Sequence, residues 1–273
     1  MAGRSALINV MYKASAAASR RMMRDFGEVE NLQVTRKGAA DFVSQADIAA
    51  ERTIQEELEK ARPDWDFIME EAGEVKGSES DAPCWIIDPI DGTTNFLHGI
   101  PHFAISIAVR DKGKIIAGSI YDPCRHEFYF AEAGKGAYLN DRRIRVSGRR
   151  SMADCLFATG IPFLGRGSAE TDAKFLRELN AVMQASSGVR RFGAAALDLA
   201  FVAAGRYDGF WERGLSVWDI AAGILLVREA GGLVSDFSSR DKALESGDIV
   251  ACNGSMHASL LKTLRGANNS VKA

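Results

Sequence analysis

The stretch "WIIDPIDGTT" ends a short apolar run, Trp85-Ile86-Ile87, on two carboxylates, Asp88 and Asp91, separated by Pro89 and Ile90. Aspartate followed by proline is the opening of a type I turn, so the spacing predicts both carboxylates turned into one small volume. Like charges held that close are costly unless they share a proton or a cation. Two readings follow: aspartates that only satisfy the turn's own backbone donors, or a metal-binding corner with the Ile90 carbonyl as a third oxygen. A donor set made of oxygen alone suits Mg²⁺ or Mn²⁺ rather than zinc. Gly92, Thr93 and Thr94 would add closely spaced backbone N–H groups, an anion-binding arrangement if a helix begins there. A cation beside an anion nest is the equipment for handling a phosphate ester. Further acids favour the metal reading. Glu70-Glu71 closes the preceding apolar run "DFIM", and Asp219 lies in "SVWDIAAG" near the start of a predicted helix.

These acids must be positioned by the elements around them. Apolar residues at 7, 8, 11, 18, 22 and 26 predict an amphipathic helix over 6–26. A second helix is expected from Ser44, with Asp47 three residues on in a variant capping box, to just before Pro63. Strand-like runs follow: "FIM", "CWII", "FAISIAVR", "KIIAGSIY", "EFYFAEA" and "RIRVS", with "DKGK" and "LNDRR" as hairpin turns. Residues 1–148 therefore read as an N-terminal α+β domain, helices laid on a largely antiparallel sheet. From 149 to 273 short apolar runs alternate with helical stretches at 169–186, 194–204, 217–230 and 255–265, a more α/β texture. No low-complexity linker separates the two, so they are expected to pack tightly with the site in the cleft between them.

Composition excludes several classes. The chain has 273 residues, 47% apolar, enough for a substantial core, and a formal net charge of −2, which creates no global field for nucleic acid or an acidic membrane. No run approaches the roughly 20 apolar residues of a membrane span. The N-terminal stretch mixes basic and apolar residues at helical spacing, which is not the pattern of a signal peptide. Cys84, Cys124, Cys155 and Cys252 form no C-x-x-C pair. They read as buried thiols of a cytoplasmic protein, although an even count leaves two disulfides open.

Taken together, Glu70-Glu71, "WIIDPIDGTTNF" and "WDIAAGILLVREAGG" resemble the inositol monophosphatase family, nearest to its bacterial SuhB-type branch. The resemblance runs from "DFVSQAD" through "RRFGAAALDLAFVAAGRYDGFWERGL" to "VREAGGLVSDF". It implies an α+β fold, a layered αβαβα sandwich, with lithium-sensitive phosphomonoesterase activity and a homodimer. It also implies two or three Mg²⁺ ions per active site. By the same resemblance Glu70, Asp88 and the Ile90 carbonyl would hold one ion, and Asp88, Asp91 and Asp219 a second. Glu70 would also help hold a third. Thr93 would orient the attacking water together with Glu70, and Asp47 would polarise Thr93. Backbone N–H groups of Gly92 and Thr93 would receive the phosphate, and Asp91, Gly193, Ala194, Ala195 and Glu212 would meet the sugar-like part of the substrate. The chain departs from the family's pattern at Met69 and Ala72, where glycine and serine are frequent, and at Ala194, where serine or threonine is common. Those departures bear on substrate preference rather than on the metals. Inositol monophosphates are the expected substrates. Fructose-1,6-bisphosphate, histidinol phosphate and a 3′-phosphonucleotide are the alternatives on the same scaffold.

Other motifs are weaker. Haloacid-dehalogenase-type phosphatases also carry aspartates before G-T, but two apart and without the proline. His98 and His102 are four apart with Pro101 between them, which favours loop residues over metal ligands. "GKGAY" at 134–138 lacks the third glycine of a dinucleotide loop and reads as a hairpin turn. "RRIRVSGRR" at 142–150 is either a solvated strand end or a contact for RNA or the transcription machinery.

Overall fold

The computed structural model describes residues 4–26, 34–38, 41–78, 80–162 and 167–269, with only the backbone for 34–38, 41–44 and 269. Helix α1 (Ala6–Phe26) buries Ile8, Met11, Ala14, Ala18 and Met22 along one stripe, as its three-and-four spacing requires. Strands β1 (Val34–Gly38) and β2 (Asp41–Ser44) form a small antiparallel pair leading into α2 (Gln45–Ala61). The Ser44 side chain, expected to cap α2, lies outside the described residues.

Strands β3 (Asp66–Met69), β4 (Gly73–Val75), β5 (Cys84–Asp91), β6 (Ala104–Asp111), β7 (Lys114–Asp122), β8 (Glu127–Glu132), β9 (Gly136–Leu139) and β10 (Arg142–Ile144) make one sheet in the order β10-β9-β8-β7-β6-β5-β3-β4. Every pairing in it is antiparallel except β3 with β5, which run side by side with Met69 opposite Ile87. "DKGK" closes β6 on β7 with Lys112 and Gly113 at positive φ (48° and 77°), and Asn140 (φ 52°) serves the β9–β10 turn.

After β10 come β11 (Leu156–Thr159), α4 (Ala169–Ala185), β12 (Gly188–Arg190), α5 (Ala195–Ala203), β13 (Gly209–Glu212), α6 (Val217–Glu229), β14 (Gly232–Ser235), α7 (Ala243–Ser246), β15 (Ile249–Asn253) and α8 (His257–Asn269). Their strands form a second, mixed sheet in the order β12-β11-β13-β15-β14.

Three cores glue five layers together. Side chains of α1 and α2 pack on one face of the large sheet through Trp85, Ile87, Ile105 and Ile107. Alternate residues of the same strands, Ile86, Ala104 and Ala108, face the opposite way onto α5 and α6. Those two helices also cover the second sheet, whose outer face closes on α4 and α8 through Phe157, Val182, Trp211, Leu260 and Leu264. The order is αβαβα. Because β5 is covered on both faces it is buried at every position, which is why "CWII" reads as an unbroken apolar run. Helices α5 and α6 sit in the middle layer and are buried all round: α5 over its whole length, α6 from Ile220 to Val227. The cysteines are unbridged, and Cys124 is only half-buried, unlike the other three.

Candidate active site

The site forms where β3 and β5 end together. Parallel register puts Glu70, just past Met69, beside Asp88, and the Glu70 N–H donates to the Ile87 carbonyl at 3.3 Å. The expected type I turn at 88–91 is not what forms. Residues 88–91 stay in β5 and carry a bulge: Asp88 pairs with Ser106 and Asp91 with Ala104, so Pro89 and Ile90 stand against Ile105 alone. Proline has no N–H to give to the ladder, which makes this the place where pairing breaks. The bulge does what the turn was expected to do, because it aims both carboxylates into one cleft. Asp88 Oδ1 accepts from the Ile90 N–H at 3.0 Å, which fixes the kink.

Gly92 follows at φ 100°, and a Cβ there would stand 3.0 Å from the His102 carbonyl oxygen. Only glycine meets both demands. Helix α3 (Thr93–Leu97) starts immediately after it, so the N–H groups expected to meet an anion do open a helix, though a short one. The Thr93 hydroxyl lies 3.1 Å from Asp47 Oδ1 and 3.1 Å from the Ile90 carbonyl oxygen.

The second half supplies the opposite wall. Asp219 sits in the first turn of α6, and its Oδ2 accepts from the Ser216 N–H at 2.7 Å. The start of α6 is tied to the large sheet by Ser106 Oγ, which donates to the Trp218 carbonyl at 3.1 Å. At α5 the N-cap is Ala194, which has no side-chain oxygen to offer; Asp91 Oδ2 takes the Ala196 N–H instead, at 2.7 Å. Glu212 ends β13, and Arg213 beside it turns away to a forked pair with Glu178.

One cleft of about 260 Å³ is lined by Glu70, Asp88, Ile90, Asp91, Gly92, Thr93, Gly193, Ala194, Ala195, Glu212 and Asp219. Every metal-site and substrate-site residue expected from the sequence is therefore in one place, with Asp47 fully buried behind Thr93. Thr94, Asn95, Gly160, Arg191 and Leu215 complete the lining. Asp88 and Asp91 are only 2% and 8% exposed. Burial pushes the Asp88 carboxyl well above the usual range, and Glu70, Asp91 and Asp219 add to it. Burial and Asp219 do the same to Asp91, against the Ala196 N–H, which opposes the rise. Among the described residues of this lining, five acidic side chains face one arginine. Among the described residues no three such side chains converge on one point as a closed cage; Asp88, Asp91 and Asp219 each turn one oxygen to a backbone N–H. The donor set is nonetheless all oxygen and short of positive charge, which fits hard divalent cations.

Sequence reasoning missed three residues. Asn95 donates to the carbonyls of His102 (2.8 Å) and Phe192 (2.7 Å), joining α3 to the loop ahead of α5; its place inside the "DGTTNF" stretch was the available signal. Asp198 is buried in α5 with Oδ1 unpartnered, and its carboxyl is pushed well up by burial, then by Glu212 and Asp91. A lone acid in "AALDLAFVA" was visible but had no motif around it. For Gly160 there was no signal.

The chain is similar to known proteins along nearly its whole length. The protein named inositol-1-monophosphatase from Mesorhizobium japonicum is 56% identical over 262 residues, covering 96% of this chain and 97% of that one. The Pseudomonas aeruginosa protein named Nus factor SuhB is 46% identical over 260 residues, covering 95% and 96%. The crystal structure of extragenic suppressor protein SuhB from Bartonella henselae superposes with a TM-score of 0.92 at 53% identity, covering 96% and 99%. The sequence profile of the inositol monophosphatase family matches residues 4–269, and the chain belongs to that family.

Proposed function

We propose that the protein hydrolyses inositol monophosphates to inositol and phosphate, dependent on Mg²⁺ and sensitive to Li⁺. The observation that carries this is the convergence of Glu70, Asp88, Asp91 and Asp219 on one cleft also lined by Glu212 and by Thr93, with the buried Asp47 behind it. Glu70, Asp88 and the Ile90 carbonyl would hold one ion, Asp88, Asp91 and Asp219 a second, and Glu70 would share a third. Such ions supply the positive charge that phosphoryl transfer needs and make a water more acidic.

The chain's own groups do the rest. A hydroxyl has one proton, and the buried Asp47 carboxylate is the stronger of the two acceptors beside Thr93. With its proton on Asp47, Thr93 Oγ1 keeps lone pairs for a water and orients it together with Glu70. Attack by that water forms one P–O bond and breaks the ester P–O bond in line. The water's proton leaves towards the Thr93 and Glu70 oxygens, and the inositol oxygen takes up a proton as it departs. N–H groups of Gly92 and Thr93 receive the phosphate oxygens. Asp91, Gly193, Ala194, Ala195 and Glu212 border the ring.

The proposal extends to a cytoplasmic homodimer with domains at 1–148 and 149–273 facing each other across the cleft. Phosphate release from inositol 1-phosphate, fructose-1,6-bisphosphate, histidinol phosphate and a 3′-phosphonucleotide tests it, each with Mg²⁺, with chelator, and with LiCl against a KCl control. Fastest turnover of inositol phosphate, lost on chelation, is expected. Full turnover in metal-free buffer rejects the reading.

A second role is favoured by one observation. Arg142 and Arg143 are exposed on the edge strand β10, with Arg145 and Arg150 exposed nearby, and a relative bears the name Nus factor SuhB. Contact with RNA or a transcription factor through this edge predicts a biological role that survives in an Asp88→Asn variant.

A further inference from the structure

Strands β11 and β13 run parallel, with Thr159 opposite Trp211. One residue further on, Gly160 and Glu212 are neighbours, and both line the cleft. Thr159 Oγ1 donates to the Trp211 carbonyl at 2.7 Å and locks the two strand ends together. The Glu212 side chain leans across its neighbour. A Cβ on Gly160 would stand 1.8 Å from Glu212 Oε1, 2.0 Å from its Cδ and 2.3 Å from Oε2. The whole carboxylate therefore occupies the volume that any side chain at 160 would need. Gly160 is buried, and its φ lies outside the left-handed region, so the backbone itself does not call for glycine. Space is what calls for it.

We infer that Gly160 is a positioning residue for substrate recognition: its missing side chain is the seat on which the Glu212 carboxylate rests while it accepts hydrogen bonds from ring hydroxyls. This rests on the reading of Glu212 as a ring-facing group. The opposite flank is fixed too. Arg213, next in the chain, is held by both carboxylate oxygens of the buried Glu178 at 2.6 and 2.9 Å and stacks on Phe237, its guanidinium carbon 3.4 Å from the ring centroid. With the strand end pinned on that side, Glu212 can answer a new methyl at 160 only by moving its own carboxylate. That group is the far end of a flexible side chain, so the fold tolerates the change while the site loses its shape.

The test is Gly160→Ala in the Mg²⁺-loaded full chain, read as the ratio of kcat/KM for inositol 1-phosphate to that for p-nitrophenyl phosphate, which carries no ring hydroxyls. Glu212→Gln and Glu212→Ala serve as controls. Hydrogen bonds to a charged group are worth enough that Gly160→Ala should lower the ratio by about 10-fold or more, chiefly through KM for the inositol ester. In the Glu212→Ala background the same change should leave both the ratio and Tm where they were, because the three atoms nearest the methyl are gone. A wild-type ratio in Gly160→Ala, with the ratio lost in Glu212→Gln, overturns the inference alone. An equal loss from Gly160→Ala in both backgrounds overturns it as well. A wild-type ratio in Glu212→Gln overturns the reading of Glu212 on which it stands.

Discussion

Thr93 Oγ1 and Asp47 Oδ1 lie 3.1 Å apart although 46 residues separate them in the chain. Helix α2 carries Asp47 in its first turn, and the bulged end of β5 carries Thr93 to meet it. The contact is buried on the Asp47 side and opens to the cleft on the Thr93 side.

Thr93→Ala should therefore lower kcat by about 10²–10⁴-fold, the usual worth of a positioned acid–base group, with Mg²⁺ binding little changed. Thr93→Ser should keep most of the activity. Asp47→Asn offers an amide that can donate to Thr93 and turn its proton into the cleft, so kcat should fall there too. The double variant should be no worse than the poorer single, because the two act as a unit. Steady-state kinetics with a Mg²⁺ titration for each variant decides it, and an unchanged kcat in Thr93→Ala removes the pair from the mechanism.

Asn95 gives a structural counterpart. Its two N–H bonds reach the carbonyls of His102, in the loop before β6, and Phe192, in the loop before α5. Asn95→Ala leaves both carbonyls without that donor, at a cost of about 1–3 kcal/mol. Tm should fall, and KM should rise, because the Phe192–Gly193 segment borders the cleft. Asn95→Asp, which keeps the shape and loses the donors, should behave alike in thermal melts and kinetics. Wild-type Tm in both variants would leave the bridge without energetic weight.

His102 predicts a pH dependence of stability. It is 5% exposed, its ring tilted by 37° against that of Phe192 with centroids 5.0 Å apart, and its Nε2 is unpartnered. Burial, helped by the Arg125 charge and opposed by Asp122, pushes its pKa down to about 4 from an ordinary value of 6.5. Between those values the unfolded chain binds the proton and the folded one does not, so stability is lost as pH falls from about 6.5 towards 4. The full shift corresponds to roughly 3 kcal/mol. His102→Phe keeps a ring and removes the titration, so its Tm should vary less over that window. Parallel Tm–pH curves for the variant and wild type would mean that His102 does not contribute.

Much of this was legible in the chain. The helices showed themselves as three-and-four spacing in α1 and as apolar runs in α5 and α6, and the site as acids at the ends of apolar runs. What could not be read was longer-range or merely steric. The bulge at Pro89–Ile90 needs β6 as a partner before it differs from a turn. Asp91 as the acceptor for the N-terminus of α5 needs two elements that meet only in the folded chain. Gly160 looks like any loop glycine until the Glu212 carboxylate is seen lying over it.

Asp219 joins the chemistry to the architecture. It reaches Asp88 and Asp91 only because α6 packs on the large sheet, and its charge helps push both their carboxyls upward. Acids whose folded pKa is raised favour the folded state at low pH, and that advantage fades as pH climbs past the ordinary carboxylate range. In chelator the crowded site therefore works against folding at neutral pH. Asp219→Asn removes one charge and leaves an amide oxygen that can still accept from the Ser216 N–H, so the start of α6 stays capped. Tm in EDTA should equal or exceed that of wild type at pH 7, and the difference should close as pH approaches 4. With Mg²⁺ the order should reverse: wild type gains more, since a ligand that binds the folded state stabilises it by mass action. Loss of groups that merely support metal ligands costs ~10–100-fold in affinity or activity, so losing a direct ligand should cost at least that in kcat, with the Mg²⁺ requirement shifted upward. Thermal melts in EDTA and in Mg²⁺, run beside a Mg²⁺ titration of phosphate release, read all of these at once. Wild-type activity with an unchanged Mg²⁺ requirement would put Asp219 outside the metal site, however close it lies to Asp91.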